Sequence, residues 1–211
     1  MILRELINEH TYYYGAIFDK VPEFKAMKNV KQNHQYHKEF DVETHTKLTW
    51  LNMCDFFLKT VPEDNQRLYD LLPELPGREY DRLLLVSAAL CHDIGKPVTT
   101  FYSEEDSNWH SKNHGKEGAK IVERLFAEEE PELLSHLSNL VKLHMKLNHA
   151  VMHETDEGVL KALTSVLECG TDIRYFIWLF AADLMGSISD NTVYDMILDY
   201  LKKLVRVLKL R

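Results

Sequence analysis

Apolar positions along this chain recur at spacings of three and four, the mark of helices with one face turned to a core. A short amphipathic segment opens it (Ile2, Leu3, Leu6, Ile7), and the rest of residues 1–32 is mixed and Lys-rich, a helical and looped extension with a packing role. Residues 33–43 are polar and aperiodic, which predicts a loop. From Thr44, read as an N-cap, to about Lys59, the positions Leu48, Leu51, Met53, Phe56 and Phe57 predict a helix. Pro62, Pro73, Pro76 and Gly77 interrupt residues 60–79, leaving room for one helical turn between prolines.

Two stretches are apolar on nearly every side: residues 80–92, with Leu83 to Val86 and Ala88 to Leu90, and residues 171–185, with Tyr175, Phe176 and Trp178 to Ala182. Helices of that kind belong in an interior. Further helices are predicted over 115–129, 132–147, 157–168 and 190–210, the last amphipathic, with polar loops at 98–113 and 148–156. His136 and His144, eight residues apart, fall roughly 80° apart around their helix and need not share a site. No run alternates convincingly, so the expected fold class is all-α, as a single domain without repeats or linkers.

Composition narrows the picture. The 211 residues suit one domain with a substantial core, and 45% hydrophobic with 27% charged is ordinary for a soluble chain. A net charge of −8 argues against a broad duplex-DNA groove, though not against a small nucleotide or an RNA end. Cys54, Cys91 and Cys169 are odd in number and unclustered, which points away from structural disulfides and toward a reducing, cytoplasmic setting. No apolar run reaches membrane-spanning length, and the first residues do not form a signal peptide. The last ten residues hold five basic side chains and no acidic one; this reads as charge matched to a helix C-terminus, with RNA or partner contact as the alternative. That final helix is also the surface a homodimer would use.

Both interior helices end in ionisable groups, His92-Asp93 in one case and Asp183 in the other. Desolvating such groups is costly unless they pair or bind a cation. The pair His92-Asp93 is therefore the expected centre of a metal site. Asp183 would close it from across the core, and His45 would add an imidazole from the start of its helix. A divalent cation of intermediate hardness takes this mixture of imidazole and carboxylate, and Mn²⁺, Fe²⁺, Co²⁺, Ni²⁺ and Mg²⁺ all fit, as one ion or two. The loop with His34 and His37 reads as lining the site. Tyr36, Trp50 and Trp109 are aromatic enough to stack on a base, with packing as the plainer role.

The order His45, His92-Asp93, Asp183 resembles the HD-domain metal-dependent phosphohydrolases. The local strings are similar too: Asp41-Val42-Glu43-Thr44-His45-Thr46, Leu90-Cys91-His92-Asp93-Ile94-Gly95-Lys96-Pro97, Asn113-His114-Gly115, Leu143-His144 and Ala181-Ala182-Asp183. Together they span residues 33–187, the motif-bearing core, between the 1–32 extension and a C-terminal helix over 188–211. Within the family, Tyr36 to Thr46 resembles the entry to the HD domain of bacterial tRNA CCA-adding enzymes. No nucleotidyltransferase head lies upstream, so CCA addition is not implied.

The resemblance implies that His45, His92, Asp93 and Asp183 bind a first metal. It implies that His114 and His144 hold a second metal or touch substrate, with Asp93 as the bridge, and that Lys96 lies near the substrate phosphate. His37, Lys146 and His149 are further candidates for phosphate contact. The implied activity is phosphoester hydrolysis on a small nucleotide or RNA 3′ end, of 2′,3′-cyclic phosphodiesterase and phosphatase type, with catalysis resting on Asp93, Lys96, His114 and His144. Rivals are a nucleoside monophosphate or dNTP phosphohydrolase, a nucleotide-binding or protein-interaction module without turnover, and a di-iron oxygenase on the same fold.

Overall fold

The computed structural model describes residues 3–10, 16–33, 37–39, 41–63, 66–151, 155–187 and 191–208. His34, Tyr36 and His153 lie outside them. In chain order the helices are α1 (Leu3–His10), α2 (Ala16–Lys20), α3 (Pro22–Lys25), α4 (Val42–Leu58), α5 (Gln66–Tyr69), α6 (Glu79–Cys91) and α7 (Lys96–Thr99). A hairpin of β1 (Thr100–Ser103) and β2 (Asn108–Ser111) follows. Then come α8 (His114–Leu125), α9 (Pro131–Leu143), α10 (Met145–Val151), α11 (Asp156–Leu167), α12 (Ile173–Gly186) and α13 (Asn191–Leu208). Among the described residues the fold is all-α apart from that small hairpin.

Helix α6 lies at the middle, packed against α4, α9 and α12. Leu84, Leu85, Ala88, Ala89, Leu90 and Cys91 are fully buried, which is what an unbroken apolar run requires. Helix α12 is its counterpart, with Tyr175 to Asp183 buried and its face against α4. Both apolar helices expected from the sequence are thus interior. Buried residues from α1 to α13 join one hydrophobic cluster. Cys54, Cys91 and Cys169 carry free thiols. Among the described residues, no helix is long and apolar enough to cross a membrane.

Several local expectations need correction. The N-cap of α4 is Asp41, not Thr44: its Oδ1 accepts from the Thr44 amide at 2.9 Å and from the Thr44 hydroxyl at 2.8 Å. A carboxylate is a stronger acceptor for the unpaired first-turn amides, and the cap and helix start lie three residues earlier. Gly95 is right-handed (φ −84°, ψ −13°), and the chain turns helical again directly after it. Pro97 sits in the first turn of α7, where its missing N–H has no helical partner to lose. Gly95 is required by proximity. A Cβ there would lie 2.1 Å from the carbonyl oxygen of His114.

The stretch 98–113 is not all loop. Thr100 pairs with Ser111, Phe101 with His110, Tyr102 with Trp109 and Ser103 with Asn108. Its aromatic and β-branched residues flank a polar turn, which is a hairpin signal too short to show as alternation. The helix expected over 132–147 is two helices: α9 stops at Leu143, and α10 runs on to Val151, into the stretch expected to be a loop at 148–156. His144 stands at the break.

Candidate metal centre

Each candidate side chain is delivered by an element end. His45 comes from the first turn of α4, His92 and Asp93 from the turn after α6, and Lys96 from the start of α7. His114 opens α8, His144 lies between α9 and α10, and Asp183 sits in the last turn of α12. Helix ends are where a backbone can change direction and aim side chains inward without losing its own hydrogen bonds. The close approach of α8 to α9 that brings His114 to His144 depends on Gly115. A Cβ at that position would lie 2.7 Å from the carbonyl oxygen of Lys142.

Three of the imidazoles are aimed by the same device. His92 Nδ1 donates to the Ala89 carbonyl at 2.8 Å, His114 Nδ1 to Ser111 at 2.7 Å and His144 Nδ1 to Val141 at 2.8 Å. A carbonyl can only accept, so Nδ1 carries the proton in each ring and Nε2 points inward. His45 is held differently: its Nδ1 faces the buried carboxylate of Glu39 at 3.1 Å.

The inward atoms form two groups that share Asp93. In the first, His45 Nε2 is 2.8 Å from Asp183 Oδ1 and 3.2 Å from His92 Nε2, and His92 Nε2 is 3.3 Å from Asp93 Oδ2. In the second, His114 Nε2 and His144 Nε2 are 3.1 Å apart and lie 3.4 and 3.7 Å from Asp93 Oδ1. The donors of His45, His92 and Asp183, and those of Asp93, His114 and His144, each fall within 4.8 Å of one another, the grouping needed to close on an ion. Lys96 Nζ lies 2.7 Å from Asp93 Oδ2 and 2.6 Å from Gln32 Oε1.

Electrostatics separate the two groups. Burial works against charge on His92, yet the Asp93 and Asp183 carboxylates outweigh it and push its pKa up to about 10. His45 is raised for the same reason, against burial, by the carboxylates of Asp183 and Glu39. Asp93 and Asp183 are held well below the usual carboxylate range despite burial, Asp93 chiefly by Lys96 and His92, and Asp183 by His92 and His45. Carboxylates that draw protons onto neighbouring imidazoles draw a divalent cation by the same field. His114 and His144 are instead lowered, chiefly by burial, His144 to about 3. They stay neutral, with Nε2 lone pairs available as ligands.

The residues fit a cation on a further observation. Asp93 is fully buried, and neither of its oxygens accepts a hydrogen bond of good geometry. A buried carboxylate of that kind is costly unless a cation meets it. The ion pair with Lys96 reaches only Oδ2.

Other expectations divide. His37 does reach the centre, but its Nδ1 bonds Glu39 at 2.6 Å rather than facing open space. Lys146 and His149 lie on α10, and among the described residues no hydrogen bond or ion pair joins them to the centre. Trp50 is 3% exposed and packs in the core, which removes it as a stacking platform. Trp109 stands against Tyr102 across the hairpin, ring centroids 5.2 Å apart. His136 bonds the Tyr80 hydroxyl at 2.6 Å, apart from the centre that holds His144. Glu39 and Gln32 were not anticipated. They are polar residues in an aperiodic stretch, and only their burial in the folded chain sets them apart.

A family model described as HD domain matches residues 65–170. The matched span contains His92, Asp93, Lys96, His114 and His144, while His45 and Asp183 lie on either side of it.

Proposed function

Because this chain belongs to the HD-domain family of metal-dependent phosphohydrolases, we propose that the centre around Asp93 hydrolyses a phosphoester on a nucleotide or an RNA 3′ end. The 2′,3′-cyclic phosphate is the preferred substrate in this reading, supported by the resemblance of residues 36–46 to the HD domain of CCA-adding enzymes. The observation that carries the proposal is the split of one buried carboxylate, Oδ2 toward His45 and His92, Oδ1 toward His114 and His144.

His45, His92, Asp93 and Asp183 would hold the first cation, and His114 and His144, with Asp93 Oδ1, a second. The bound cation supplies Lewis-acid charge that makes a water nucleophilic near neutral pH and offsets the charge of the phosphoryl group. The carbonyl bonds to three Nδ1 atoms keep the donors fixed as that charge develops. The Lys96 ammonium, held by Asp93 and Gln32, would neutralise a nonbridging phosphate oxygen. His144, held neutral with a pKa of about 3, suits a ligand better than a proton donor to the leaving alkoxide.

The test is metal analysis of the purified chain followed by a phosphate-release screen. Substrates are 2′,3′-cyclic NMPs, NMPs, dNTPs and 3′-phosphorylated RNA, each with Mn²⁺, Co²⁺, Ni²⁺ and Mg²⁺. Turnover of the cyclic esters is expected. Turnover of dNTPs or NMPs alone would move the substrate assignment to the nucleotide phosphohydrolases, and a tightly held nucleotide without turnover would make this a binding module. Asp93→Asn is expected to lose cation and activity together. A folded Asp93→Asn protein that turns over fully in chelator would overturn the metal reading.

A further inference from the structure

His45 has a problem the other imidazoles do not. His92 and His144 follow the last turn of a helix, and His114 is the first residue of one, so each finds a carbonyl three residues back that no helical amide needs. His45 lies inside the first turn of α4, where carbonyls three and four residues back are engaged in the helix ladder; its own amide takes that of Asp41 at 3.1 Å. Among the described residues no carbonyl serves its Nδ1; the group that lies beside it is the Glu39 carboxylate. That carboxylate is 0% exposed at the side chain and lies 3.1 Å from His45 Nδ1 and 2.6 Å from His37 Nδ1.

We propose that Glu39 is a positioning residue for the metal centre, acting through His45. Its carboxylate lies 3.1 Å from Nδ1 as an ion-pair neighbour, outside hydrogen-bond geometry; its negative charge behind the ring favours the proton on that side, turns Nε2 toward Asp183 and His92, and strengthens the imidazole as a donor. The same carboxylate takes Gln32 Nε2 at 3.5 Å, and Gln32 Oε1 holds Lys96 at 2.6 Å. One acid thereby links a ligand to the ammonium beside Asp93. Gln32 and Glu39, like His45, lie N-terminal to residues 65–170, the span that the family model matches.

The inference rests on the metal reading above, and the test separates the two. Co²⁺ affinity is measured by competition with a chromogenic chelator, alongside the visible d–d band of the bound ion, for wild type, Glu39→Gln, Glu39→Asp, His45→Ala and the Glu39→Gln/His45→Ala double variant. Glu39→Gln is expected to weaken Co²⁺ binding by about 10- to 100-fold and to shift the band. Glu39→Asp, which keeps the charge, is expected to fall between it and wild type. In the His45→Ala background, Glu39→Gln is expected to add no further loss, because its effect passes through that ring. Wild type that binds no cation would overturn the metal reading itself. Wild type that binds, with Glu39→Gln equally tight or with fully additive losses in the double variant, would overturn only the role of Glu39. Should Glu39→Gln fail to fold, Glu39→Asp carries the same comparison against His45→Ala.

Discussion

At the scale of single residues, the centre is organised by what stands behind each donor. Carbonyls fix three rings, a carboxylate fixes the fourth, and an amide fixes the lysine. The lysine offers a prediction of its own. Gln32 Oε1 is 2.6 Å from Lys96 Nζ, and a hydrogen bond to a charged group contributes about 1.5–3 kcal/mol. Gln32→Leu is expected to raise KM by roughly 10-fold or more while leaving Co²⁺ affinity within about twofold, since Gln32 faces the ammonium rather than a ligand. Steady-state kinetics with unchanged KM would remove Gln32 from that role. His92, Asp93 and Asp183 stood out as candidates in the sequence because ionisable groups at the ends of apolar runs contradict their surroundings, while His114 and His144 came only with the family resemblance. Gln32 and Glu39 were not, since a polar residue in a polar loop contradicts nothing until a distant helix buries it.

At the scale of elements, the centre depends on helices approaching more closely than side chains ordinarily allow. A Cβ at residue 115 would lie 2.7 and 2.9 Å from the backbone oxygens of Lys142 and Val141, neither of which can rotate away. Gly115→Ala is expected to push α8 from α9, costing about 1–3 kcal/mol in urea denaturation and separating His114 from His144. Unchanged stability would show that the two helices slide freely. The other end of the molecule has a polar clamp. Buried Asp81, in the first turn of α6, accepts from Tyr175 Oη of α12 at 2.5 Å. Tyr175→Phe leaves that carboxylate short of a donor and is expected to destabilise by about 1–3 kcal/mol without altering cation affinity. Equal denaturation midpoints would refute the clamp. Both apolar helices were legible from composition alone. The hairpin and the break at His144 were hidden, because four-residue strands are too short to reveal a period and nothing local marks an interruption that serves the ring.

At the scale of the whole molecule, charge decides how many cations the fold accepts. The centre buries the carboxylates of Asp93, Asp183 and Glu39 against one ammonium, Lys96, which leaves two negative charges for one divalent ion to balance. In the apo chain the proton affinities of His45 and His92 are raised, so protons take over part of that role. A second ion between Asp93 Oδ1, His114 and His144 would meet neutral imidazoles and, among the described residues, no further carboxylate. It would carry the centre to net positive charge, a state that a phosphate dianion relieves. Elemental analysis of dialysed protein should therefore give close to one ion per chain, rising toward two when inorganic phosphate is present. The first ion should also dominate stability. A cation at 100 times its Kd adds about 2.7 kcal/mol, and at roughly 2–4 °C per kcal/mol for a chain of this size, chelation should lower Tm by roughly 5–10 °C. Asp93→Asn should abolish that dependence, since it removes the one carboxylate common to both groups. A wild-type Tm indifferent to chelator, or two ions bound with equal affinity in the absence of phosphate, would contradict the charge argument.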